Sequence, residues 1–196
     1  MYKKLSITEN TLQVLSLFTN DFNREYYIRE VGKLLKISPR TAQLILEGLE
    51  DKGVIESKTK GKIKAYKIKL SEFTKKYLVF VEQHKAISLL ENNLMLKEII
   101  EKITPNINGI GIIFGSYAKG TQNKESDLDI FVAGDYNREE IKKVSRILGI
   151  AISVKCYPME TFEKNINKDI LLKEILKNHI VFVNVEQFIQ KVLNNG

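Results

Sequence analysis

A glycine and a serine, Gly115-Ser116, stand ten residues ahead of an acidic pair, Asp127-Leu128-Asp129. On the acidic side, residues two apart in a strand face the same way at roughly 6–7 Å. Asp127 and Asp129 would therefore present their carboxylates together while Leu128 and Ile130 turn to a core. Adjacent carboxylates repel, and a hard divalent cation such as Mg²⁺ relieves that repulsion while keeping positions open for triphosphate oxygens. On the other side, Gly115 allows the backbone close to a phosphate and Ser116 offers an amide and a hydroxyl. A helix begun near Tyr117 would aim its positive end at the same anion, and Lys119 would add a charge contact. These residue types point to metal-assisted handling of a nucleoside triphosphate (NTP).

Positioning such groups takes strands. Ile107-Asn108-Gly109-Ile110-Gly111-Ile112-Ile113-Phe114 is apolar, rich in β-branched residues and bounded by turn signals, which reads as a buried strand ending at Gly115. The acidic pair opens a second apolar strand through Ile130-Phe131-Val132. A bare Asp-x-Asp is ordinarily a solvated turn or a helix cap, but that reading does not explain why both acids precede a strand.

The pattern of strand, Gly115-Ser116, ten residues, Asp127-x-Asp129 and strand resembles the nucleotidyltransferases of the DNA polymerase beta superfamily, most closely the minimal nucleotidyltransferase domains. The resemblance covers about residues 92–196, with Gly115, Ser116, Asp127 and Asp129 as the matching positions. It implies a mixed β-sheet flanked by helices. It also implies transfer of a nucleoside monophosphate from an NTP to an acceptor, with two metal ions aligning the attacking oxygen and the pyrophosphate. Members of that superfamily usually add a third carboxylate from a neighbouring strand. The strand in that place, residues 149–157, contains no acid. Alternation puts Ile150, Ile152, Val154 and Cys156 on one face and Ala151, Ser153, Lys155 and Tyr157 on the other, so the site-facing candidate is Ser153 or Lys155. A lysine there would partly replace a metal or bind phosphate directly. Glu160 and Asp135 are the remaining acids that could reach in from loops. Cys156, the only cysteine, reads as a small core hydrophobe. His84 and His179 read as structural or surface residues.

Charge separates the two ends of the 196-residue chain. The net charge is +7, of which +6 belongs to residues 1–70 and +1 to the rest. The basic segment is thus the candidate for a polyanion partner. Apolar spacing reads as a helix from Leu12, a second opened by Tyr27-Ile28, and a third begun by Ser38-Pro39, where serine can cap and proline gives up no needed donor. Ala42, Ile45, Leu46 and Leu49 turn inward, leaving Arg40, Thr41, Gln43 and Leu44 on the outer, N-terminal face. Two strands, 54–58 and 63–70, follow, with a tip at Thr59-Lys60-Gly61-Lys62. Residues 8–70 resemble the winged helix-turn-helix family, which implies DNA contact by Arg40, Thr41 and Gln43 in a groove and by Lys58, Lys60, Lys62 and Lys64 on the wing. Lysines that merely solvate an exposed hairpin are the alternative.

Residues 71–103 are nearly free of glycine and proline and carry apolar positions at helical spacing. They read as a connector of one bent helix or two, broken at Asn92-Asn93, whose apolar stripe would pack on both domains or form a homodimer contact. The expected organisation is α+β: a winged helix-turn-helix domain at 1–70, the connector at 71–103, and a nucleotidyltransferase-like domain at 104–196. No run approaches the roughly 18 apolar residues of a membrane span, and a cytoplasmic protein is the expectation. Mg²⁺ is the expected cofactor, NTP the substrate or ligand, and DNA the partner. The residues leave three functions open: a transferase recruited to nucleic acid, a nucleotide-sensing transcriptional regulator with an inactive transferase domain, and an antitoxin-like protein nucleotidyltransferase.

Overall fold

A computed structural model describes residues 7–61 and 63–194. The chain divides into two units, Met1–Val81 and Glu82–Gly196. The first begins with α1 (Glu9–Asn20), capped by Thr8, whose hydroxyl accepts from the Thr11 amide at 3.2 Å. A two-residue strand β1 (Tyr26–Tyr27) leads into α2 (Ile28–Leu35), and α3 (Pro39–Asp51) starts at the Ser38-Pro39 signal. There Ser38 Oγ accepts from the Thr41 amide at 2.9 Å. Strands β2 (Ile55–Lys60) and β3 (Ile63–Ile68) complete an antiparallel sheet of order β1-β3-β2. Leu15, Phe18, Val31, Leu46 and Tyr66 are fully buried in this unit.

Two local readings change. Tyr26 and Tyr27 pair with Tyr66 and Ala65, so the strand β1 precedes the helix that Tyr27-Ile28 was expected to open. The hairpin pairs out to Lys60↔Ile63, so Thr59 and Lys60, expected in the tip, belong to β2. Lys62 and the side chain of Lys60 lie outside the described residues.

The unit boundary falls inside α4 (Glu72–Glu91), which leaves Phe73, Phe80 and Ile87 exposed at seven-residue spacing. The chain breaks at Asn92-Asn93, and Asn93 Oδ1 accepts from the Leu96 amide at 2.9 Å to start α5 (Leu94–Ile103). Among the described residues, no helix is long and apolar enough to cross a membrane.

The second unit is built on a mixed four-stranded sheet of order β6-β5-β4-β7. Strand β4 (Ile107–Phe114) runs antiparallel to β5 (Leu128–Tyr136) and to β7 (Ile180–Val183). Strand β6 (Ile152–Tyr157) lies parallel to β5, as its crossover through α7 (Arg138–Leu148) requires. The short helix α6 (Gly115–Lys119) joins β4 to the loop before β5. Strand alternation explains the layering. Leu128, Ile130, Val132, Ile152 and Val154 share a core with Ile99 and Ile103 of α5 and Ile141 of α7. On the other face Phe131 packs against Phe162 of α8 (Met159–Asn165), ring centroids 5.9 Å apart. Helices α9 (Ile170–Lys177) and α10 (Val185–Asn194) bury Leu172, Ile175, Phe188 and Ile189. Gly109 and Gly134 face each other across β4 and β5. A Cβ on Gly109 would lie 2.1 Å from the Ala133 carbonyl oxygen, and one on Gly134 2.2 Å from that of Asn108.

A charged cluster is buried at the start of this unit. His179 donates from Nδ1 to the Leu176 carbonyl at 2.8 Å and places Nε2 3.3 Å from Glu82 Oε2, both side chains at 0% exposure. Lys85 holds the other Glu82 oxygen at 2.9 Å. Removing one partner of a buried pair strands the other charge, so His179→Ala is expected to cost about 3–5 kcal/mol. Urea unfolding checks it; a loss below about 1 kcal/mol would mean that the contact contributes little to stability.

Candidate nucleotide and metal site

The sheet register assembles the chemistry-bearing residues. Asp129 lies opposite Phe114, the last residue of β4, so the chain turns at Gly115 directly against the Asp129 carboxylate. A Cβ on Gly115 would fall 2.3 Å from Asp129 Oδ2, and the Gly115 φ of +70° lies in the left-handed region. Glycine is required there on both counts. Ser116 follows in α6, where its carbonyl accepts from the Thr121 amide at 3.0 Å.

Asp127 is delivered by a tight turn. Asn123 Oδ1 accepts from the Glu125 amide at 2.9 Å, and Ser126 Oγ accepts from the Asn123 amide at 2.9 Å, closing the loop immediately before the acid. Asp127 is exposed at the mouth of the site, and Asp129 is half-buried behind it. Burial pushes the Asp129 carboxyl above its ordinary range, and the negative charge of Asp127 pushes it further; Lys155 opposes both. Lys119 lies exposed at the end of α6, and its charge also reaches Glu174 of α9. The sequence-predicted group Gly115, Ser116, Asp127 and Asp129 is therefore brought to one end of β4 and β5, with Lys119 on the adjoining short helix.

Two carboxylates, one of them desolvated and destabilised by the other, fit a single hard divalent cation that leaves most positions for other oxygens. Among the described residues, no group of three or more His, Cys, Asp or Glu side chains could hold a metal ion. Asp135 lies six residues beyond Asp129 along β5, about 20 Å away, and its carboxylate accepts from the Tyr136 amide at 2.8 Å. Glu160 is exposed on α8 and pairs with Lys164 at 3.7 Å. The register places Ser153 beside Asp129 and Lys155 beside Phe131, on the same face as the acids. Cys156 is on the opposite face, its Sγ 3.5 Å from the Gly134 carbonyl and its thiol pushed up by burial.

In the first unit, Arg40 and Lys58 are exposed, Thr41 is held in the Ser38 cap, and Gln43 donates to Glu47 at 2.8 Å while accepting from Arg40 at 3.2 Å. Lys64 is committed elsewhere. Its ammonium bonds Glu50 at 2.6 Å and lies 5.2 Å from the Tyr66 ring centroid. Neither this clasp nor the Glu82–His179 pair was marked by any local spacing, because their partners are 14 and 97 residues apart.

Comparison with known proteins agrees with this geometry. A CCA-adding enzyme of Thermoplasma volcanium is 43% identical over 53 residues, 27% of this chain and 12% of that protein. A candidate protein adenylyltransferase of Methanocaldococcus jannaschii is 37% identical over 60 residues, 29% of this chain and 60% of that protein. The chain thus spans less than two thirds of either relative. A solved structure of TrmBL2, an archaeal chromatin protein with a novel mode of DNA binding, aligns over 88% of this chain and 71% of its own at 12% identity. Its TM-score of 0.30 is too low to establish a shared fold. Residues 95–183, which hold the Gly115-Ser116 turn and both aspartates, match the nucleotidyltransferase domain family.

Proposed function

We propose that this chain binds an NTP with a divalent cation at the Gly115-Ser116 turn and the Asp127/Asp129 pair, as a nucleotidyl-transfer unit in the same chain as a DNA-binding unit. The observation that carries the reading is the Asp129 carboxylate packed against a glycine with no room for a side chain, at the junction of two antiparallel strands. Mg²⁺ held by the two carboxylates would supply charge neutralisation to phosphate oxygens. Gly115 admits a phosphate close to the backbone, and Ser116 contributes its hydroxyl and amide. In transfer, an acceptor oxygen bonds to the α-phosphorus as the bond to pyrophosphate breaks. The acceptor is a protein, an RNA end or a small molecule, and the two relatives support nucleotidyl transfer in general.

A regulatory variant, in which the domain senses nucleotide without transferring it, is favoured by one observation: no third acid stands on β6. The DNA-binding part of the proposal draws on the order of α1, β1, α2, α3, β2 and β3 and on the +6 charge of residues 1–70. Incubation with α-³²P-labelled NTPs, Mg²⁺ and a cell extract separates the readings. Retained label that resists denaturation means transfer, label lost on denaturation means sensing, and no label in either form overturns the site.

A further inference from the structure

The face of the sheet that holds Asp129 continues across β6 as Ser153 and Lys155, because β5 and β6 pair in parallel with Asp129↔Ser153 and Phe131↔Lys155. Lys155 is thereby fixed to a regular strand, one pleat along from Asp129, and not to a loop. Its ammonium is close enough to act on the Asp129 carboxyl, yet it makes no ion pair within 4 Å among the described residues. By contrast, Lys64, Lys67 and Lys177 are each clasped by a glutamate at 3.0 Å or closer. Lys155 is exposed. An ammonium held near the Asp129 carboxylate without closing on it is arranged to meet an anion that arrives with its own oxygens.

We infer that Lys155 is the resident cation of the nucleotide site: it binds the triphosphate directly and takes the place of a second divalent ion, so that each bound nucleotide is held with one. The inference deepens the NTP reading and rests on it. It follows from counting charges. Two carboxylates offset a single divalent cation, no third acid joins them among the described residues, and β6 offers that face Ser153 and the positively charged Lys155 in place of an acid. A second dication beside that ammonium would be repelled. A lysine point charge on phosphate also retains the nucleotide when the metal leaves, giving the site a residual metal-independent affinity.

The test uses the full chain, α,β-methylene-ATP as a probe that cannot be cleaved at the α-phosphate, and Mn²⁺ as the reporter ion. In EDTA, Lys155→Ala is expected to bind the probe about tenfold more weakly than wild type, and Lys155→Arg within about threefold of it. With Mn²⁺, electron paramagnetic resonance is expected to count one ion per bound probe in wild type and two in Lys155→Glu. Two ions in wild type, or EDTA affinity unchanged by Lys155→Ala, overturns the inference while leaving the NTP site standing. A wild-type protein that binds the probe under neither condition overturns the NTP site itself. Thermal melting confirms that each variant is folded, and where Lys155→Glu melts early the Lys155→Ala comparison decides.

Discussion

Replacing both acids, Asp127→Asn with Asp129→Asn, is expected to lower Mg²⁺-dependent nucleotide affinity by at least about 100-fold. It should also raise the melting temperature of the metal-free protein by a few degrees. The two effects share one cause. Burial and the charge of Asp127 raise the Asp129 carboxyl in the folded chain above its value in the unfolded one. Through that window the native state binds more protons than the unfolded state, so stability falls as pH rises and the full cost is present at neutral pH. An amide removes the buried charge and its repulsion, and with them the ability to neutralise a cation. A site kept at the expense of stability is the expected mark of function. Isothermal titration and calorimetry on both proteins read the two effects. Nucleotide binding that is equal and equally Mg²⁺-dependent in both removes the assignment, and a variant that melts earlier means the acids stabilise the turn instead.

The second large effect is in the basic unit. If Arg40, Lys58, Lys60 and Lys62 each meet a phosphate, the logarithm of DNA affinity falls against the logarithm of salt with a slope of about −3.6. Affinity is then expected to drop roughly 100-fold between 50 and 200 mM salt. Arg40→Ala and Lys58→Ala should each reduce the slope by about one. Lys64→Ala is expected to change the slope least, because Glu50 and Tyr66 already hold that ammonium. Fluorescence anisotropy on duplexes at four salt concentrations checks this. Absence of binding to any duplex at 50 mM salt would assign the hairpin to a protein partner.

What the residues announced and what they hid follow from the range of the interactions. Ser38-Pro39 was legible as a helix start because a cap acts within three residues, and Asn92-Asn93 was legible as a break, though not Asn93 as the cap of the next helix. The strands that end at Gly115 and carry Asp129 were legible too, since a β-branched run beside a turn is a local signal, whereas Asp127 stands in the loop just before β5 and not in the strand. The alternation that put Lys155 on the acid face held because the side-chain period of a strand is two. β1 was hidden because two tyrosines become a strand only when β3, about 40 residues later, pairs with them. The clasp on Lys64 was hidden likewise, so composition alone credited the hairpin with a free charge that the fold has already used.

The facing glycines of β4 and β5 carry a lesson for variation among relatives. Since a methyl at either position would strike the main chain of the opposite strand, a change at Gly109 cannot be rescued by one at Gly134, or the reverse. Lineages that keep this strand contact must inherit both as a unit. Any homologue that has lost one should have rebuilt the far end of the sheet, which makes the pair a two-letter marker for telling true counterparts of this architecture from chains that share only the acidic signature.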